Sequence, residues 1–520
     1  MAEDHEEIER KYDVGSDVVF PNLALVEGVG SVRQPEELQL EAVYFDTPEL
    51  DLARKGLTLR RRIGGGDAGW HLKLPRSGDS RTEVHEPLGD AEDGVPAALQ
   101  ARVRGIIRDR PLVPVAEVNT LRREYALQDG DGTIMATVCD DEVHATVLAV
   151  PQGLEGSSRS GAVQTWREWE LELDGAAGDL LDVVEEHLLA AGASPATAAS
   201  KLSRTLGDVS PETHAQPSDK ELRKGTAGQL LVARLAEHIA RLQAQDAAVR
   251  TGEAEGVHQL RIAARRLRSA LTTCRPLLNR EVTDPVRDEL RWLGEVFAPA
   301  RDAQVLREHL NDELDQQPAD LVVGAVAARV EDQLSADFQT GRERALESLD
   351  SARYLRLLDA LDELVASPPF TEEADAPARK VMPRLLARDA KRLRREVRAI
   401  DSAEDSTARD HAFHEARKKA KRLRYAAEMA TPALGKRARS LTKATKKIQT
   451  ALGVHQDTVV ARQRLRELAM QAHLAGDNAF TYGRLHALEQ ARADGVEADF
   501  EDRWRSFRRK QLRRWTGKPA

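Results

Sequence analysis

The spacing of apolar residues changes once along this chain, near position 210, and no single fold class accommodates both patterns. Before that point apolar and polar residues alternate with a period of two, in Glu7–Tyr12, Leu57–Ile63, Trp70–Leu74, Thr133–Asp140 and Trp166–Leu173. That period places successive side chains on opposite faces of a strand. Gly64–Gly69 reads as a hairpin loop between two of these strands, Pro151–Ala162 as a second loop, and Pro96–Arg108 and Leu180–Ala191 as helices. Many strands with few helices predict a barrel or sandwich. Val209–Asp219 holds two prolines and no apolar period, so it reads as a linker. From Leu222 onward the period is 3.6, through Gln229–Arg250, Glu255–Cys274, Asp284–Phe297, Ala303–Leu314, Gly324–Leu349, Tyr354–Ala366, Ala378–Ile400, Thr407–Thr431, Lys436–Leu452, Val459–Ala475 and Phe480–Trp515. The expected organisation is therefore α+β: a β domain over 1–208, a linker over 209–221 and an all-α domain over 222–516.

The charge distribution divides at the same place. Residues 1–210 carry 21 Lys and Arg against 39 Asp and Glu, a balance of −18; residues 211–520 carry 56 against 47, or +9, and the two sum to the net −9. An acidic half joined to a basic half implies two electrostatic tasks. The two cysteines, Cys139 and Cys274, provide no disulfide framework or cysteine zinc site. The acidic start MAEDHEEIERKY lacks the apolar core of a secretory signal, and no 18-residue apolar run exists to span a bilayer. The expected location is the cytoplasm, with no membrane partner.

Within the β half the charges are ordered by strand parity. Glu7, Glu9 and Lys11 share a face, as do Glu168, Glu170 and Glu172; so do Arg60 with Arg62, His71 with Lys73, and Arg81 with Glu83. The intervening Ile8, Leu59, Leu72, Leu74, Trp169, Leu171 and Leu173 are apolar. A half-exposed sheet with its charged face in water would read the same way for any one strand. Stacked like charges on several strands repel on such a surface, and suit instead an inward face that takes a divalent cation on its carboxylates and phosphate on its cations.

Glu7-Ile8-Glu9-Arg10-Lys11 resembles the ExExK signature of the CYTH superfamily, the triphosphate tunnel metalloenzymes. It is joined in order by Tyr44–Thr47, Leu57–Arg62, Leu72–Pro75, Arg81–Glu83, Glu170–Leu173 and Ser200–Leu202, so the resemblance covers about 5–207. It implies an eight-stranded antiparallel tunnel that hydrolyses or rearranges triphosphates with Mg²⁺ or Mn²⁺. Carried over by position, Glu7, Glu9, Glu170 and Glu172 would form the acidic metal set, with Asp140 added; Lys11, Arg60, Arg62, Lys73 and Lys201 would hold phosphate, together with Arg122 or Arg123. The resemblance, in which the arginine stands three residues before an aromatic, here Tyr125, favours Arg122. Glu7, Glu9, Lys11, Arg60, Arg62 and Lys73 would be the catalytic group. The water-activating residue stays open, and Cys139 reads as core.

In the helical half, His258, Arg261, Arg265 and Arg268 stand at i, i+3, i+7 and i+10, a stripe about 80° wide. His414, Arg417, Lys421 and Arg424 repeat it at an offset of 156, with six of eleven positions identical and Lys418 alongside. Asp302-Ala303-Gln304-Val305 aligns with Asp457-Thr458-Val459-Val460 at an offset of 155. The half thus reads as two copies of one helical unit, about 222–366 and 378–516. Aligned cations with few acids at i±4 imply an absent polyanion. Further cationic runs occupy Arg384–Arg398, Lys436–Lys447 and Arg508–Arg514. The doubled HxxR helices, followed by Arg301-Asp302 and Gln456-Asp457, resemble the CHAD domain, which implies a basic pore or groove that binds inorganic polyphosphate.

Together the two resemblances imply a metal-dependent inorganic triphosphatase, acting on tripolyphosphate, whose helical domain binds polyphosphate; association with polyphosphate granules stays open. The competing readings are a non-catalytic polyphosphate-binding protein and a tunnel enzyme acting on thiamine triphosphate or ATP. Nucleic acid is disfavoured, because aromatics form only 4% of the chain and offer few stacking platforms.

Overall fold

In a computed structural model the chain is described over residues 3–74, 80–90, 94–149, 160–173, 178–207 and 217–516. Most of the expected linker, most of the Pro151–Ala162 loop and Pro75 lie outside those residues. The chain divides into two compact units, 1–215 and 216–520.

The first unit is one antiparallel sheet of ten strands: β1 (Glu3–Val14), β2 (Ser31–Val32), β3 (Glu36–Asp46), β4 (Thr58–Ile63), β5 (Gly69–Lys73), β6 (Ser80–Pro87), β7 (Val113–Gln128), β8 (Ile134–Val147), β9 (Val163–Leu173) and β10 (Ser194–Pro195). Eight of them follow the order β1-β6-β5-β4-β3-β7-β8-β9, and β9 pairs with β1 again. The return is staggered, because β1 pairs with β6 through Glu3–Ile8 and with β9 through Glu9–Val14. The two-residue strands β2 and β10 attach outside this path, which is why the count exceeds the expected eight.

Two apolar cores of this unit lie on the outer face, each under a helix. Helix Ala97–Ile107 packs Leu99 and Val103 on Leu59, Trp70, Leu72 and Val84. Helix Gly178–Ala190 packs Leu181, Val184 and Leu188 on Tyr12, Val138, Trp169 and Leu171. Since alternate residues must face the other way, Glu9, Lys11, Arg60, Arg62, Lys73, Glu83, Glu170 and Glu172 on the same strands point inward. The hairpin loop between β4 and β5 depends on Gly64: its φ is +88°, and a Cβ there would sit 2.1 Å from the Gln39 carbonyl oxygen.

The second unit is helical, with long helices at Ala227–Thr251, Gly256–Thr273, Arg280–Val296, Ala298–Asp315, Val326–Leu349, Ala352–Ala366, Ala378–Asp401, Ser406–Met429, Lys436–Leu474 and Phe480–Phe507. The expected separate helices Lys436–Leu452 and Val459–Ala475 are one helix of 39 residues. The first copy does break at the equivalent place, between Arg280–Val296 and Ala298–Asp315. Pro299 stands at that break, in the first turn of Ala298–Asp315, where its missing N–H leaves no hydrogen bond unmade; its counterpart at offset 155 is Val454.

Candidate functional site

The sheet register assembles the first site. Across the inner face, Arg122 of β7 stands opposite Asp141 of β8, Asp141 opposite Glu168 of β9, Glu170 of β9 opposite Lys11 of β1, and Glu172 opposite Glu9. On the other side, Arg60 of β4 stands opposite Tyr44 of β3, Thr58 opposite Lys73 of β5, and Lys73 opposite Glu83 of β6. These walls enclose a cavity of about 330 Å³. Of the residues singled out from sequence, Glu9, Lys11, Arg60, Arg62, Lys73, Arg122, Glu170, Glu172 and Lys201 line it. Glu7 lies on β1 with its backbone opposite Arg81; the side chains of both are outside the described residues.

Cation and carboxylate are interleaved here. Arg122 donates from Nε and Nη2 to the two Asp141 oxygens at 2.8 and 2.7 Å, and also reaches Glu170. Lys201 Nζ lies 2.8, 2.7 and 2.9 Å from Asp141, Glu168 and Glu170. It is delivered by the short helix Lys201–Leu206, whose Leu202 and Leu206 pack on Val118, Val143 and Ala145 and whose start is capped by Ser200. Lys11 Nζ bridges Glu9, at 2.8 Å, and Glu170. Burial would raise the Glu9 carboxyl, but Lys11 and Lys73 hold it down at about 2. Burial likewise opposes charge on Lys11, yet Glu170 and Glu9 keep its ammonium above the usual range. At the far wall Glu83 accepts from Lys73 at 3.3 Å, lies 3.8 Å from Arg60 and meets His71 Nδ1 at 2.8 Å. Burial, reinforced by Arg60 and Arg62 against the hydrogen bond to Glu83, lowers His71 to about 4. For Arg62, burial, Arg60 and Arg122 outweigh Glu83 and pull it down to about 10, and it pairs with Asp67 of the hairpin loop.

Two expectations change. Asp140 does not join the acidic set. It points to the outer face, where it accepts from Arg167 Nε and Nη2 at 2.7 and 2.8 Å and from Trp169 Nε1 at 3.0 Å. Adjacent aspartates on a strand must face opposite ways, and Asp141, opposite Glu168, is the inward one. Arg123, the alternative to Arg122, is also outward, bound to Glu37 at 3.2 Å and Glu142 at 3.1 Å. Besides Asp141, sequence reasoning did not find Tyr44, Thr58, Glu124 and Ser200 on the cavity wall. Glu168, outside the expected metal set, sits in a buried trio with Asp141 and Glu170 whose ligand atoms all lie within 4.8 Å of one another.

The second site lies in the helical unit, where the two His-led stripes converge. Arg261 reaches Asp302 at 3.1 Å, and Arg417 reaches Asp457 at 3.7 Å, the same contact in each copy. The acids come from other helices, Ala298–Asp315 and Lys436–Leu474, rather than from i±4. Arg265 Nε donates to Tyr425 of the other stripe's helix at 3.1 Å. Lys421 feels Arg417, Arg265 and Arg261; burial first, then these cations, pull its ammonium down to about 7. Burial, with Arg301 nearby, lowers His258, and burial, with Arg291 and Arg265 nearby, lowers Arg268. His414 meets Gln456 at 2.6 Å, which occupies the place of Arg301 in the first copy. Lys418 pairs with Glu415 at 2.7 Å, and Arg424 with Glu428 at 3.5 Å, so these two stand at the margin. A separate trio, His309, Glu313 and Glu489, contains potential metal ligands. Arg492 lies 2.7 Å from Glu313 and 3.8 Å from Glu489, and already supplies the trio with a fixed cation.

Residues 5–206 match the CYTH domain family and residues 233–466 the CHAD domain family. An uncharacterised protein of Mycobacterium tuberculosis strain H37Rv is 40% identical over 507 residues, 96% of this chain and 95% of that protein. Among solved structures, PptA from Streptomyces chartreusis is 22% identical and covers 54% of this chain and 100% of its own, with a TM-score of 0.46. The CHAD domain from the plant Ricinus communis is 26% identical and covers 55% and 96%, with a TM-score of 0.42. No helix among the described residues is long and apolar enough to cross a membrane. With an inward-charged antiparallel sheet in one unit and a duplicated basic helical array in the other, the chain belongs to the triphosphate-tunnel proteins in which a CYTH domain precedes a CHAD domain.

Proposed function

We propose that the first unit is a metal-dependent inorganic triphosphatase acting on tripolyphosphate and that the helical unit binds inorganic polyphosphate. The observation that carries this reading is the cavity wall, where Lys11, Arg60, Arg62, Lys73, Arg122 and Lys201 face inward among Glu9, Glu83, Glu170 and Glu172. Tyr44 is the only aromatic on that wall among the described residues, which favours an inorganic triphosphate over one carrying a stacked base or thiazole ring.

The donor set suits a hard divalent cation, since its members are carboxylate oxygens with ordinary affinity for Mg²⁺ or Mn²⁺. Glu9, Glu170 and Glu172 are the residues that would hold it, and bound there it would neutralise charge on the phosphoryl group and leaving phosphate. The chain's own cations perform the rest. Arg60, Arg62 and Lys73, on adjacent strands, grip the phosphate oxygens and orient the chain. Lys11 and Arg122 stabilise charge that develops on the phosphoryl group. Phosphate release from tripolyphosphate, ATP and thiamine triphosphate, each with Mg²⁺, Mn²⁺ or EDTA, tests the reading. Tripolyphosphate should be preferred and the metal required. Faster release from thiamine triphosphate would move the reading to an organic substrate.

A further inference from the structure

Beyond the His-led stripes, the helical unit has a second basic groove. Its volume is about 680 Å³, twice that of the tunnel cavity, and it is lined by Lys436, Arg439, Lys443, Lys447, Arg503 and Lys510. The remaining lining residues are neutral, so no carboxylate faces the groove among the described residues. Four of the cations lie at i, i+3, i+7 and i+11 on helix Lys436–Leu474, a stripe about 80° wide. The wider helical turn Arg508–Leu512 brings Lys510 to the opposite wall. Elsewhere in this unit exposed cations commonly find acids, as Lys418 does with Glu415 and Arg464 with Glu467. In the groove, Arg503 has Asp499 at 2.6 Å, while the stripe and Lys510 form no ion pair among the described residues. Successive like charges at i,i+3 and i,i+4 oppose helix formation. A row of them along a concave surface focuses positive potential on whatever fills it.

We propose that this groove is a second binding site for a condensed phosphate chain, an inference that rests on the reading of the helical unit as a polyphosphate binder. The floor explains the choice of ligand. It is formed by Ala444, Ile448 and Phe507, and Phe507 is only 4% exposed, so the groove has closely spaced cations but no platform on which a nucleobase could stack. A long chain held by the His-led stripes and by this groove gains affinity through effective concentration, whereas a short chain occupies either site alone.

The test uses the full chain and two variants: Lys436→Gln/Lys443→Gln/Lys447→Gln in the groove and Arg265→Gln/Arg417→Gln in the His-led stripes. Binding of long-chain polyphosphate, short polyphosphate and single-stranded DNA is measured across a salt series, with helix content checked by circular dichroism. The groove variant should bind long chains about tenfold or more weakly. Its salt slope should fall by about three, roughly one for each phosphate contact removed. A groove variant that keeps wild-type affinity and slope, beside a weakened Arg265→Gln/Arg417→Gln protein, overturns the second site and leaves the His-led reading standing. Weakening of the groove variant alone keeps the second site and removes the His-led reading. Equal weakening toward DNA overturns the assignment to condensed phosphate.

Discussion

The tunnel and the His-led stripes both gather cations, but they balance them differently. In the tunnel Lys11, Arg122 and Lys201 each touch two or more carboxylates within a buried wall. In the helical unit Arg261 and Arg417 each pair with one aspartate, and Lys421 is surrounded mainly by other cations. A pre-neutralised site changes little in net charge when it exchanges its internal partners for metal and phosphate, so it can position a reacting group at modest cost. An under-compensated site gains from any polyanion, and that gain depends on salt. The difference fits the proposed division, hydrolysis in the first arrangement and polyphosphate retention in the second.

The sharpest way to break this comparison is to remove one tunnel carboxylate. Glu9→Gln should lower tripolyphosphate hydrolysis by about 10²-fold or more, the scale of losing one charge-stabilising group. Polyphosphate binding by the helical unit should be unchanged, as a salt-series titration would show. Next in size, Arg265→Gln should weaken polyphosphate binding about tenfold, the worth of one charge-assisted hydrogen bond, with hydrolysis of tripolyphosphate unaffected.

A smaller effect should appear with pH. In the empty stripes Lys421, brought down to about 7 chiefly by burial, loses its proton as pH rises through that value. Bound phosphate restores the charge, so the complex holds more protons than the free protein, and affinity should fall as pH rises past about 7. Lys421→Arg should flatten this dependence; an equally steep profile in that variant would remove Lys421 from the site. The smallest effect on catalysis belongs to Asp140→Asn. Its outward contacts with Arg167 and Trp169 predict a stability loss of about 1–3 kcal/mol and no change in hydrolysis rate, measurable by thermal unfolding beside an activity assay.

What was legible in the sequence follows from parity and periodicity. Within a strand, spacing by two fixes which residues share a face, so Glu9 with Lys11 and Arg60 with Arg62 could be grouped at once. Which face turns inward on the next strand depends on register, which is non-local. That is why the sequence points to Asp140 where the structure turns Asp141 inward, and why Glu124 of β7 was not expected on the cavity wall. The helical stripes were legible because each lies on one element. Their partners Asp302 and Asp457 were visible only as a repeated motif, since the contact that uses them crosses between helices. The uninterrupted helix Lys436–Leu474 was not legible, because the first copy breaks at the equivalent place, beside Pro299, and the two copies were read as equivalent.

The division of labour is tested most directly by measuring two quantities on the same two proteins, Glu9→Gln and Arg265→Gln/Arg417→Gln. The quantities are the rate of tripolyphosphate hydrolysis with Mg²⁺ or Mn²⁺ and the affinity for long-chain polyphosphate. The account predicts that the first variant loses hydrolysis and keeps affinity, and that the second keeps hydrolysis and loses affinity. Loss of hydrolysis in the Arg265→Gln/Arg417→Gln protein, with its polyphosphate affinity intact, would contradict it.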